Sequence, residues 1–473
     1  MSIQARARSR CSWLPELDRL SGPIYKSVAD ALAASIAEGT LEPGAPLPPQ
    51  RLLADALGVT VGTVTRAYRE AERRGLVEAR VGSGTRVRQV GSQTPDFHHL
   101  SKADGDSIDL SLSIPIPSAT RAQQLSQTLA KLSSRPDLIA QSLSYQPEQG
   151  SSAQRMQLAQ WLTAQELPMS GEELILTTGG QHADFLALQT LVRPGEAVAS
   201  DALTYPGMIA AARQLGLKHL PVPMDREGMR PDALDKLCQR QRIRLIYLMP
   251  EHNNPTAIQM SEARRRAIVE LARRYDLLIL EDGVQYVSPA LRGTPFYRLA
   301  PERSLYIFSV SKILAGGLRF GALRAPTALI PQLSAGLRAE CWSTPGLMGA
   351  AVCEWLTSPD AQELIDWQWR ELEARHRLLE QHLAGYDFLA HPCGFQAWLH
   401  LPDPWRASDF ITQAASRGVT LVSPEPFCVG SQPAPQAVRI CLTPPPHREQ
   451  LGTGLQRLSE LLAEGPRPSA PLV

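Results

Sequence analysis

The apolar positions near the start of the chain recur with a helical period. Val28, Leu32 and Ile36 share one face, with Tyr25 and Ala29 beside them, so residues 24–38 predict an amphipathic helix that ends near Gly39. The prolines of LEPGAPLPP break that pattern, and residues 50–57 predict a short helix stopped at Gly58. Thr60 is placed to cap a third helix. In it Val64, Ala67, Tyr68 and Ala71 fall at i, i+3, i+4 and i+7, while Arg66, Arg69 and Arg73 gather on the opposite side. After Gly75, LVEAR and TRVR read as two short strands around the turn VGSG. Three helices and a glycine-tipped hairpin predict a winged helix over residues 1–88.

Residues 89–107 are polar without a period and read as a linker. Beyond them the pattern changes to short apolar runs: LILTT (174–178), AVAS (197–200), LIYLM (245–249), LLILE (277–281) and LYIFS (305–309). Helical stretches separate these runs, which predicts an α/β unit built on a mostly parallel sheet covered on both faces. Past about residue 335, a long helix over 359–384 and the strands FQAWLH and VRICLT predict a smaller C-terminal α+β lobe. The unit as a whole is expected to span residues 108–473, its last ten residues a loose tail.

Composition narrows the partners. At 473 residues the chain exceeds one ordinary core, and a net charge of +1 excludes a general polyanion binder. Residues 1–90 nevertheless hold thirteen Lys/Arg against nine Asp/Glu, so any nucleic-acid contact is expected at the N-terminal end. The seven cysteines form no CxxC or Cys/His cluster, which predicts reduced thiols and no metal. No apolar run approaches a membrane span, and the Arg-rich start lacks an apolar stretch after it, so cytoplasmic residence is expected.

The chemistry concentrates in FSVSKILAGGLRFG (308–321). An aldehyde cofactor requires an amine for a Schiff base and donors for its phosphate. Lys312 supplies the first, and Ser309 and Arg319 the second. The segment resembles the lysine signature of fold type I aminotransferases, with Gly316 where proline is usual. The resemblance implies pyridoxal 5'-phosphate (PLP) as cofactor, with Lys312 its catalytic anchor.

Further motifs follow the family order. LILTTGGQHAD places Gly180 and Gln181 at a helix N-terminus, a phosphate cradle. LTYPGM resembles the family's aromatic step and implies that Tyr205 stacks on the pyridine. PEHNNPTAIQM is similar to the family's Asn-Pro-Thr-Gly, implying that Asn254 meets the cofactor's 3' oxygen, with Ala257 where glycine is usual. LLILEDGVQY implies Asp282, rather than Glu281, as partner of the pyridine nitrogen, since a carboxylate favours the protonated ring. The family's tyrosine after that aspartate is missing: Val284 and Gln285 stand there and Tyr286 follows, so either Gln285 or Tyr286 takes its place.

SYQPEQG implies that Tyr145 reaches the phosphate of the other subunit of a homodimer. AVRICLT implies that Arg439 receives an effector or substrate carboxylate in a planar fork.

The N-terminal segment is similar to the GntR-type winged helix over nearly its whole length. This implies a double-stranded DNA operator, with Arg51, Thr63 and Arg66 near phosphates or base edges and Gly82, Ser83 and Gly84 at the wing tip. Thr60-Val61-Gly62-Thr63 lacks the arginine that many relatives carry there. Together the halves resemble MocR-type regulators, in which PLP, or an amino acid or amine acting at the cofactor, modulates promoter binding. The alternative is a working aminotransferase with an accessory N-terminal domain, since the site residues serve both equally.

Overall fold

A computed structural model describes residues 11–15, 23–37, 39–42, 44–74, 76–80, 84–87, 107–430 and 433–466. The chain forms two compact units that divide at about residue 100.

In the first unit, helices α1 (Ile24–Ala37), α2 (Gln50–Leu57) and α3 (Val61–Arg73) precede an antiparallel hairpin of β1 (Val77–Arg80) and β2 (Gly84–Val87). The expected helical faces are those that pack: Val28, Leu32, Leu53, Val64, Ala67 and Ala71 are almost fully buried in one core. Tyr68 joins them and donates its hydroxyl to the Pro48 carbonyl at 2.7 Å, which ties α3 to the proline turn. Thr60 caps α3, its hydroxyl accepting from the Thr63 amide at 3.2 Å. Gly84 opens β2 at φ +77°, a backbone region that a side chain disfavours.

The second unit is built on a seven-stranded sheet. In chain order its strands are β3 (Leu174–Thr177), β4 (Ala197–Asp201), β5 (Lys218–Val222), β6 (Ile243–Leu248), β7 (Leu278–Asp282), β8 (Ser304–Ser309) and β9 (Gly321–Arg324). In space they run β3-β9-β8-β7-β6-β4-β5. Neighbours from β8 to β5 pair in parallel, whereas β9 is antiparallel to both β8 and β3.

All five expected strands are present. The two additional ones lack a clear sequence signal: β5 (KHLPV) is a half-exposed edge, and β9 is a four-residue run beginning with glycine. Helices α4 (Gly180–Leu191) and α5 (Pro206–Gln214) follow β3 and β4. Aliphatic and aromatic residues bury both faces of the sheet, one face in a single cluster and the other in two.

The smaller lobe packs a long helix, α6 (Pro359–His382), and α7 (Arg448–Glu464) on the antiparallel strands β10 (Phe388–Ala390), β11 (Gln396–His400) and β12 (Ala437–Cys441). Among the described residues no helix is long and apolar enough to cross a membrane.

Candidate functional site

The ends of the parallel strands deliver the side chains. Such a sheet exposes its loops at the carboxyl edge, where ligands bind in open α/β folds. Asp282 is the last residue of β7 and Ser309 the last of β8, while Gly179 and Gly180 follow β3 into α4.

Asp282 is buried. Its carboxylate accepts from the Tyr247 hydroxyl at 2.6 Å and from the Val284 amide at 2.9 Å. Burial raises its pKa in spite of these donors and of nearby Lys312. Asp184 on α4 is also fully buried, and its pKa is driven up by burial and by the Asp282 charge. Sequence reasoning missed Tyr247 and Asp184. The only signal for Tyr247 was a polar-tipped residue inside an aliphatic strand.

Lys312 lies beyond β8 in the turn leading to β9. Its amine donates to the Ser113 carbonyl, lies 3.3 Å from the Ser113 hydroxyl, and sits 5.7 Å from the centre of the Phe395 ring. Burial, with Arg439 adding to it, lowers the amine's pKa to about 8 against the pull of Cys441 and Asp282. The Lys312 carbonyl accepts from Gln368 of α6 at 2.8 Å, fixing the turn to the small lobe.

Arg439 on β12 is buried. It donates to the Asn254 side-chain oxygen at 2.8 Å and to the Ser111 carbonyl at 2.6 Å, and its guanidinium stands 4.8 Å from the centre of the Phe427 ring. Among the described residues its Nε has no hydrogen-bond partner.

The cradle between β3 and α4 is closed by Arg319. This guanidinium donates to the Thr178 carbonyl at 2.9 Å, and a Cβ on Gly179, whose φ is +89°, would come within 2.6 Å of it. Only glycine fits there. Gly180 is buried at the start of α4, and Gln181 donates to the Gly207 carbonyl at 3.2 Å beside Tyr205, the N-cap of α5. The Ser309 hydroxyl donates to the Phe320 carbonyl at 3.2 Å, and at 2.9 Å it meets the Ser311 hydroxyl, the more accessible of the two.

The two residues that could replace the missing tyrosine, Gln285 and Tyr286, are both buried, and Tyr286 is engaged in the core. It bonds the Gln165 side chain at 2.9 Å and stacks on Trp369. Ala257 takes φ +59°, so the loop keeps the left-handed turn that glycine would make easily. Buried Arg265 braces that loop, bonding the Met260 and Pro250 carbonyls and pairing with Glu251 at 2.9 Å. Tyr145 stands apart from these groups: it is 87% exposed, and its ring lies tilted against that of Trp342, with centres 5.5 Å apart.

In the first unit Arg51, Arg66 and Arg69 are exposed and Thr63 is half-buried. The Thr65 hydroxyl donates to Gln50 at 2.7 Å and locks α3 against α2. Gly82 and Ser83 lie outside the described residues, as does nearly all of the expected linker.

Residues 112–458 match the family described as aminotransferase class I and II, and residues 24–87 match the bacterial regulatory proteins of the gntR family. The chain is 30% identical to the uncharacterized HTH-type transcriptional regulator YdeF of Bacillus subtilis, across 98% of this chain and 99% of that one. It is 29% identical to the vitamin B6 salvage pathway transcriptional repressor PtsJ of Salmonella typhimurium, across 83% and 88%. The solved structure of an archaeal alanine:glyoxylate aminotransferase superposes with a TM-score of 0.66 at 27% identity, covering 76% of this chain and 91% of that one.

Proposed function

This chain belongs to the GntR-type transcriptional regulators that carry an aminotransferase class I and II domain, the MocR architecture, and on that premise we propose that it is a PLP-dependent regulator whose promoter binding responds to an amine or amino-acid effector. The observation that carries this reading is the grouping of a desolvated amine and a buried acid at the carboxyl edge of the large sheet with a buried guanidinium from the small lobe, on the same chain as a DNA-reading unit.

The residues fit the cofactor. The glycine cradle at the start of α4 leaves backbone room that a Cβ would fill, and the helix N-terminus and Arg319 supply donors for a phosphate, with Ser311 in the place expected of Ser309, whose hydroxyl is turned to the Phe320 carbonyl. Asp282 stands ready to hold the pyridine nitrogen protonated, and Tyr247 fixes the carboxylate that does so. Tyr205 offers a ring face, Asn254 a polar contact for the 3' oxygen, and Lys312 the amine. When bound, PLP supplies an electrophilic carbon and an electron sink for amines.

This chain's own residues do the rest. Burial keeps a sizeable fraction of Lys312 neutral near physiological pH, and Arg439 presents its fork to a carboxylate. In the DNA-reading unit, exposed Arg51 and Arg66 would meet the phosphate backbone or base edges. A homodimer is part of the reading: the rings of Tyr145 and Trp342 meet on the surface, and Leu143 close by in sequence is also exposed, apolar exposure of a kind that marks an interface. Cytoplasmic residence follows from a DNA-binding role.

The test is visible absorbance of the protein reconstituted with PLP, its loss in Lys312→Ala, and footprinting of the upstream promoter with and without the cofactor. Absence of cofactor binding would refute the reading, as would sustained keto-acid production from amino acids without any DNA footprint.

A further inference from the structure

The segment that opens the second unit crosses the site just described. Its two ends are fixed. Ile108–Asp109 pairs in parallel with Val419–Thr420, Leu110 is fully buried, and the Leu110 carbonyl accepts from the Cys441 amide at 2.8 Å. At the other end Ile116 is buried against Leu372 and Phe395.

Between these anchors two backbone carbonyls take the donors of both cationic groups. The Ser111 carbonyl accepts from Arg439 at 2.6 Å, and the Ser113 carbonyl accepts from the Lys312 amine. Asp109 holds the turn in place, one carboxylate oxygen accepting from the Ser111 amide at 2.8 Å and from its hydroxyl at 2.6 Å. Ser113 is tethered in turn, its hydroxyl 3.4 Å from the Gln396 side chain on β11.

We infer that residues 111–113 are a built-in occupant of the effector site, and that an effector's carboxylate binds by exchanging with the Ser111 carbonyl on Arg439. This rests on the reading of Lys312 and Arg439 given above. The guanidinium has one terminal nitrogen on Asn254 and the other on Ser111, so a carboxylate that bridges the two terminal nitrogens competes with the Ser111 carbonyl for the second. The exchange is favourable because a charge-assisted bond to a carboxylate is stronger than one to a neutral carbonyl. Any reaction of the amine likewise requires it to release Ser113.

The consequence is regulatory. In sequence, the residues immediately before Ser107 lead back to the DNA-reading unit. A ligand that displaces residues 111–113 therefore acts on the stretch of chain adjoining the linker. Coupling of this kind needs only that the ligand favour one of two arrangements of the segment.

The experiment uses the full chain and two probes that share a phosphate and pyridine ring. N-(5'-phosphopyridoxyl)-L-alanine carries a carboxylate, and pyridoxamine 5'-phosphate lacks one. Hydrogen–deuterium exchange is read on peptides covering residues 107–117, and affinities by calorimetry. The carboxylate probe is expected to speed exchange in that segment well beyond the effect of pyridoxamine phosphate.

Asp109→Ala, which loosens the segment, should tighten the carboxylate probe about fivefold if the segment is seated roughly four-fifths of the time, with pyridoxamine phosphate affinity unchanged. Equal exchange in residues 107–117 with both probes bound would overturn the inference and leave the functional reading standing. Failure of both probes to bind would overturn both.

Discussion

Replacing Lys312 with methionine keeps an unbranched apolar stem and removes the amine. Burial lowers that amine's pKa from 10.5 to about 8 in the folded protein. The folded value lies below the unfolded one, so between about pH 8 and 10.5 the unfolded chain binds more protons, and the lysine protein gains stability as pH rises through that window. Below it both states are protonated and folding must bury a charged amine. The depression corresponds to roughly 3 kcal/mol.

The advantage of Lys312→Met over the lysine protein should therefore shrink by about 3 kcal/mol between about pH 7 and about pH 10.5. Denaturant unfolding of the cofactor-free proteins at the two pH values measures it. A gap that stays constant or widens with pH would refute the reasoning. The same shift has a kinetic face, because the neutral amine is the nucleophile. At about pH 7.5 an amine of pKa 8 is roughly one quarter neutral, against about one part in a thousand for an ordinary lysine. Uptake of PLP, followed by visible absorbance, should rise with pH and flatten just above 8. Continued tenfold growth per pH unit past about 9 would show an ordinary lysine.

Four further outcomes are expected. Ala257→Gly relieves a left-handed alanine and should raise stability by about 1 kcal/mol, read as a higher unfolding midpoint. Arg265→Met strands Glu251 without its buried partner and should cost about 3–5 kcal/mol, seen in the same unfolding experiment. Thr60→Ala removes the cap of α3 and should cost about 1 kcal/mol in the unfolding of the DNA-reading unit. Arg66→Ala should weaken operator binding, and if the residue meets a phosphate it should lower the slope of affinity against salt by about one contact while leaving cofactor uptake unchanged, as fluorescence anisotropy titrations would show.

The amino-acid sequence by itself determined the local elements and their chemistry. The helical period of residues 24–73 was enough to place α1, α2 and α3, because one face of each must be buried and no other spacing achieves it. Five apolar runs declared five strands, and Lys312, Asp282 and Arg439 stood in motifs whose order was readable.

Tertiary structure decided what periodicity cannot express. It inserted β9 antiparallel between β3 and β8, since pairing across the sheet is a long-range matter that a four-residue run does not encode. It turned Tyr286 into the core beside Trp369 and brought Tyr247 to Asp282 from a neighbouring strand, choices made by packing. It also set Ser111 and Ser113 against Arg439 and Lys312, contacts between residues some 200 to 330 positions apart. Backbone carbonyls carry no sequence signature, so only the folded chain shows which cations they occupy.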